Sequence, residues 1–437
     1  MSATSVRTRR PAVLLLCCAA LLTACGSSGA STAVVRADPV ALPPADPAQV
    51  AATAAATGAF GLDLLRALAA DPAAGGGNLV LSPSGLATAL AMVLPGARGT
   101  TAGEIAGALH TELTPEQYAL ATGALNRSAA VTAKDGPVLR QAEDLWAQRD
   151  YPLDQRYLGV LAAAFDTGVR TADFRKDPEG ARKAVNGVVE KATEGRIKDL
   201  FGAGRINPNT RLALTDALYL KADWAEPFKA GKTGARPFHR LDGTETAVPT
   251  MARTTGLRYA EGSGGILGEP WQAVELPYAG STLAMDLVVP AQGGFAAFRK
   301  GLDQAELDRI LGSLAPRAVD LTLPKFHFDT ANELTPALRA LGVKAAFGPD
   351  ADLSGIPGPG ADGGLAIGTV VQKATIQVDE QGTVAAAGSG VGVGAMAAPA
   401  PVSPVELHVD RPFLFLIRDT ATGRPLFLGQ VTDPAAT

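Results

Sequence analysis

Apolar positions along this chain follow two spacings, one of about 3.6 residues and one of 2, and the first dominates early while the second dominates late. In DPEGARKAVNGVVEKATEG (177–195), Ala181, Val185, Val188 and Ala192 share one helical face. Asp177 is placed to cap that helix, Pro178 suits its first turn, and Gly195 ends it. SPSGLATALAMVLPGARGTTAGEIAGAL (82–109) predicts a helix from about Ser84, a turn near Pro95-Gly96 and a second short helix. TPALRALGV is a further short helix stopped by Gly342. RLALTDALYL (211–220) alternates, but both faces are mostly apolar, which predicts a central strand covered on both sides. STLAMDLVVP, VDLTLPKF, VVQKATIQV, PFLFLIRD and PLFLGQV are further strands, and Gly423 marks a hairpin turn between the last two. Early helices, late strands and no βαβ alternation predict an α+β fold built on large sheets.

Two polar residues interrupt those strand faces. Asp216 sits among the leucines of its strand, and Gln372 shares a face with Val370, Ala374, Ile376 and Val378. Either each lies exposed at a strand end, or the two meet inside, because a buried carboxylate without a partner costs several kcal/mol, on the order of the desolvation of one polar group.

Composition leaves ample core material: 47% of the 437 residues are apolar. The charge is −4, and no basic run occurs beyond the first ten residues, which argues against a nucleic-acid partner. Arg7, Arg9 and Arg10 precede the apolar stretch AVLLLCCAALL, which is too short to span a bilayer and has the form of a signal peptide. It ends in LTAC (22–25), which resembles the lipobox of bacterial lipoproteins, with Cys25 as the lipidated residue. That resemblance implies removal of residues 1–24, export, and a lipid anchor to the outer face of a bacterial cell membrane as the only membrane contact. The three cysteines are Cys17, Cys18 and Cys25, so the exported domain has neither a disulfide nor a thiolate metal site. Residues 25–50, rich in Ala, Ser, Pro and Asp, read as a flexible tether, and residues 51–437 as one domain.

Several motifs fail on context. GPGADG (358–363) and GVGVGA (390–395) match dinucleotide-binding glycine patterns, but neither runs from a strand into a helix. DADLSG (350–355) begins like a calcium loop, yet its twelfth position is Ala361, where a bidentate Glu is required. His110, His239, His327 and His408 are scattered without metal-binding spacing, and no G-x-S-x-G elbow occurs. Nothing here predicts a cofactor, a metal or an enzyme.

One stretch remains, VDEQGTVAAAGSGVGVGAM (378–396), in which a strand gives way to almost bare backbone. A linker would explain small residues. It would not explain why the alternate positions Thr383, Ala385, Ala387 and Ser389 are free of charge and of Pro, as an inserted strand needs. Around it, NLVLSPSGLATALAMVLPGARGTTAGEI, ADFRKDPEGARKAVNGVVEKATEGRIKDLF, RLALTDALYLKADWAEPF, ELPYAGSTLAMDLVVP, LPKFHFDTANELTPALRALGVKAAFGPDADLSGI and DRPFLFLIRDTATGRPLFLGQVTDP follow one another in an order that resembles the serpin family over all of residues 51–437.

The resemblance implies three β-sheets, about nine helices and an exposed reactive-centre loop. It implies a monomeric suicide inhibitor of serine proteases: the protease cleaves the loop, is held as a covalent acyl-enzyme, and is dragged as the cut loop inserts into the main sheet. The hinge falls on Glu380, Gln381, Gly382, Thr383, Val384, Ala385, Ala386 and Ala387. The scissile bond falls on Met396-Ala397, with Ala395 and Ala398 as neighbouring choices. An unbranched apolar Met suits elastase-, chymotrypsin- or subtilisin-like enzymes, and no Lys or Arg for a trypsin-like one occurs from Gly382 to Glu406. The family's shutter, the polar patch beneath the opening sheet, maps to Ser82, Gly85, Asp216 and Gln372. This chain departs there, with Gly85 for a Ser, Asp216 for an Asn and Gln372 for a His, and the replacement predicts that the Asp216 carboxylate accepts from the Gln372 amide. Glycines 388, 390, 392 and 394 add loop entropy and favour the alternative, a serpin that is cleaved as a decoy substrate or binds another ligand.

Overall fold

The structure, a computed structural model, describes residues 32–70, 76–128, 136–263, 268, 270–361, 364–383 and 403–436. Among them are nine α-helices and two hydrogen-bonded sheet networks.

The main sheet has eight strands. Its axis is the central strand Leu212–Asp223, the one whose two apolar faces predicted double coverage. Leu212 and Leu214 pack into the largest core with Leu86 and Leu90, while Ala213 and Ala217 face Val185 and Val189 of the helix Pro178–Ala192. The helix Pro83–Val93 is buried along its whole length beneath the sheet, with Ser82 as its N-cap. On one side the central strand pairs with Val138–Gln141 near its end and with Asp144–Gln148 near its start; Asp144–Gln148 in turn pairs with the edge strand Val169–Ala172. On the other side it pairs directly and in parallel with the approach strand Ile367–Val378, which carries Phe326–Glu333 on its far edge.

In the second network, Val405–His408, Ala315–Pro324, Glu245–Gly262, Trp271–Pro277, Leu283–Pro290, Phe413–Asp419, Pro425–Val431 and Leu79–Leu81 lie in that order. Glu245–Gly262 pairs with Gly234–His239 over its first residues and with Trp271–Pro277 over its last. At 18 residues it runs from one sheet into the next, so two of the three expected sheets are hydrogen-bonded into one network. The hairpin turn has Gly423 at φ 75°, and Gly342, at φ 100°, stops the helix Thr335–Ala340.

The tether is corrected. The boundary placed at Ala51 falls inside the helix Pro47–Ala69, whose N-cap Asp46 forms a capping box with Gln49. Before it, Ala33–Val35 pairs antiparallel with the edge strand, and the Val40 amide donates to the Gly159 carbonyl at 3.1 Å. Composition suggested a linker because three-residue strands leave no readable period. The close approach is set by two glycines: a Cβ on Gly168 would stand 2.1 Å from the Val35 carbonyl oxygen, and one on Gly159 would stand 2.6 Å from Val40. Gly168→Val is therefore expected to lift this strap from the sheet edge. Hydrogen exchange should become fast at Ala33–Val35 and stay slow in the central strand; an unchanged rate at Ala33–Val35 would show that the glycine is not what admits the strap.

Candidate functional site

Two places on the seam between the central and approach strands hold the polar residues. Deep in the seam, Asp216 and Gln372 are direct register partners on adjacent strands and are 2% and 0% exposed. The Gln372 Nε2 donates to Asp216 Oδ2 and, at 2.9 Å, to the Ser82 carbonyl, while its Oε1 accepts from the Ser82 amide at 3.0 Å. The Ser82 Oγ accepts from the Gly85 amide at 3.0 Å. Ser82, Gly85, Asp216 and Gln372 are thus brought together, and one amide side chain joins the helix N-terminus to both strands. Gly85 is tied to Asp216 by space: a Cβ there would lie 2.1 Å from Asp216 Oδ1. The Asp216 carboxylate occupies the volume that a side chain at 85 would need.

Burial raises the Asp216 carboxyl to about 7, against the pull of the Gln372 amide and the Arg424 guanidinium. Glu143, half-buried as a residue but with an enclosed carboxyl, is raised to about 8, first by burial and then by the charge of Asp216. Burial lowers Arg424 to about 10 although Glu143, Asp419 and Asp216 favour its cation. Asp216 Oδ1 has no hydrogen-bond partner among the described residues, which fits a group near its neutral form at ordinary pH.

At the upper end of the seam the two strands diverge, and Gly382–Thr383 lies between them. Thr383 pairs antiparallel with Ala222 on one side and Val378 on the other, and is 2% exposed. Gly382 passes so close to the central strand that a Cβ would stand 2.0 Å from the Ala222 oxygen. The hydroxyls of Thr383 and Tyr278 are hydrogen-bonded, and Tyr278 stacks on Trp224 at 4.7 Å. Trp224 donates from Nε1 to the Asp379 carbonyl at 3.0 Å and from its amide to the Gln381 carbonyl at 2.7 Å. Glu380 takes Lys325 Nζ at 2.7 Å and the Thr233 hydroxyl at 2.7 Å. Burial raises its carboxyl, but the hydrogen bonds from Lys325, Thr233 and its own backbone, together with the Lys325 charge, hold it below the usual range. Val384, Ala385, Ala386, Ala387, Met396, Ala397 and Cys25 lie outside the described residues.

Residues 55–434 match the family model described as Serpin (serine protease inhibitor). The chain is a serpin. Its relatives include a serpin-like protein of Thermococcus kodakarensis, 35% identical across 87% of this chain and 85% of that one. The leukocyte elastase inhibitor of Bos taurus is 33% identical across 87% of this serpin and 99% of its own length. Among solved structures, native protease nexin-1 with heparin superposes with a TM-score of 0.77 at 25% identity, covering 88% of this chain and 100% of that one.

Sequence reasoning missed Trp224, Thr233, Tyr278 and Lys325, which hold residues 379–383 in this serpin. Each sits in an ordinary strand or loop context, and only the tertiary fold brings them to residues 379–383. The Gly85–Asp216 pairing was also missed, although both departures from the family pattern were visible.

The carboxyl at 216 gives a pH test. Its folded value lies above the reference of 3.8, so the native state keeps a proton that the unfolded chain has released. The stability this provides is complete below about pH 4 and is lost as pH rises through about 7. Asp216→Asn removes that loss, so its melting temperature should gain on the wild type between pH 5 and pH 8. An equal difference at both pH values would contradict the assignment.

Proposed function

We propose that this serpin is a suicide-substrate inhibitor of elastase-, chymotrypsin- or subtilisin-like serine proteases, cleaved at Met396-Ala397. The observation that carries the reading is Thr383, the first inward residue of the hinge, seated between the central and approach strands and paired to both. Below it the same strands pair with each other from Ile367 to Ala374. The seam is closed below and already parted by one strand above.

Insertion continues that strand downward. Successive residues bond alternately to the two neighbours, and these bonds, worth about 1 kcal/mol each net, replace the smaller set the two strands share with each other below. The next inward positions, Ala385, Ala387 and Ser389, add little volume to a packed interior. The protease, acylated through its catalytic serine to the cut end, travels with the strand, and distortion of its active site prevents water from completing the hydrolysis. Glycines 388, 390, 392 and 394 act in the other direction, because ordering them costs more backbone entropy than ordering alanines would. They set the balance between trapping and simple cleavage. Export through the signal peptide and lipidation at Cys25 belong to the same reading and place the inhibitor on the outer face of a cell membrane.

Incubation with elastase or subtilisin should give a covalent band at the summed mass on a denaturing gel, with release of the fragment that begins at Ala397. Ala385→Arg, at the next inward position, should abolish that band and leave only clipped serpin, since a charge would have to enter the sheet. Clipping of the wild type without any covalent band would favour the decoy reading.

A further inference from the structure

The strap fixes where the chain leaves the domain, and that point bears on how an anchored inhibitor stands. Ala33 pairs with Thr171, Thr171 with Ala147, and Ala147 with Leu212. The chain therefore leaves the main sheet level with the first residue of the central strand. The hinge enters at the other end, where Gly382 and Thr383 pair with Asp223 and Ala222. At about 3.3 Å per residue the central strand separates these levels by about 36 Å. The eight steps from Cys25 to Ala33 reach at most about 28 Å when fully extended. A leash shorter than the sheet cannot let the domain turn over onto its hinge pole. A free tether ending at Ala51 would have allowed it: the chain from Cys25 to there could extend over about 90 Å.

The strap is held by more than its three paired residues. Val40 is hydrogen-bonded to Gly159, and Leu42 and Ala45 pack against Ala119, Leu120 and Ala164. Asp46 then caps the first helix. Released only at Ala33–Val35, the chain would still be caught a few residues later on the same side of the molecule.

We infer that the strap is an orientation device: the serpin meets the lipid surface with the pole where the central strand begins, and holds its hinge and loop away from it. The inference rests on the reading of Cys25 as the anchor, and on the proposed inhibition for its consequence. Thirteen residues, Thr383 to Ala395, inserted as a strand span about 40 Å. Continued on the register of Thr383 with Ala222, that carries Val393 to the level of Leu212 and Met396 about 10 Å beyond it. The inserted strand lies four strand positions from Ala33–Val35, or about 19 Å at about 4.8 Å per position. A protease that enters at the far pole thus ends beside the anchor, against the bilayer. Capture moves it from the open medium to the membrane face.

The geometry can be measured without protease and without cellular lipidation, because Cys25 is the only cysteine once residues 1–24 are removed. The chain from Cys25 onward is coupled through that thiol to a maleimide lipid in phosphatidylcholine vesicles that carry a quencher on a fraction of the headgroups. A fluorophore is placed through an azide-bearing residue at exposed Asn209, just before the central strand, or at exposed Lys229, just beyond it. Loss of fluorescence at 209 with none at 229 is the expected result. Equal loss at both, greater loss at 229, or loss at neither would overturn the orientation. Failure of the native chain to acquire lipid in cells would refute the anchor reading separately. Absence of a covalent protease band would refute only the inhibitory reading.

Discussion

Everything in this molecule turns on one seam, the parallel pairing of the central strand Leu212–Asp223 with the approach strand Ile367–Val378. The central strand is buried on both faces and the approach strand on one, with its other face half-buried toward its end, yet the proposed function requires them to part and accept a third. Parallel neighbours in a covered sheet normally stay together because separation exposes apolar surface and orphans backbone groups. In the proposed mechanism the incoming strand is supplied by the chain itself, and its first residue is Thr383. Thr383 meets Ala222, Val378 and the Tyr278 hydroxyl, so the proposed opening would start from a nucleus already formed in the intact chain.

What resists opening is local and polar. Gln372 bridges Asp216 and Ser82, and a strand placed between the two partners would move their Cα atoms from one strand spacing to two, out of hydrogen-bond reach. The seam thus has an apolar majority, which an inserted strand can satisfy again, and one polar latch, which insertion must first break. The latch uses an acid whose burial lifts it to about 7, with Glu143 and Arg424 close enough to interact with it. The proton balance among these three groups therefore bears on how firmly the latch holds.

Much of this was legible in residue order. The helix Pro178–Ala192 showed its apolar stripe, its cap and its stop, and the central strand showed its two apolar faces, because burial periodicity is written into local sequence. Asp216 and Gln372 were conspicuous as polar residues among leucines and valines, and the fold brings them together. Other features were not legible. Trp224, Tyr278 and Lys325 look like any strand or loop residues, and their role depends on contacts across more than fifty positions. The strap was misread as a linker because its hold comes from backbone pairing and from missing side chains at Gly159 and Gly168, which leave no hydrophobic period to find. Joining of two expected sheets through Glu245–Gly262 was hidden for the same reason: strand continuity is set by pairing partners, not by the strand's own pattern.

The proposed inhibition is energetic at root: the intact fold must lie above a rearranged one that becomes reachable when the loop is cut. The direct measurement is thermal unfolding of the purified chain before and after a single cut in residues 395–398, with the two fragments kept together. The expected result is that the cut form melts at a clearly higher temperature, with the approach and central strands no longer exchange-coupled as neighbours. A cut form that melts at or below the temperature of the intact one would mean that no lower state exists, and the proposed inhibition would have nothing to drive it.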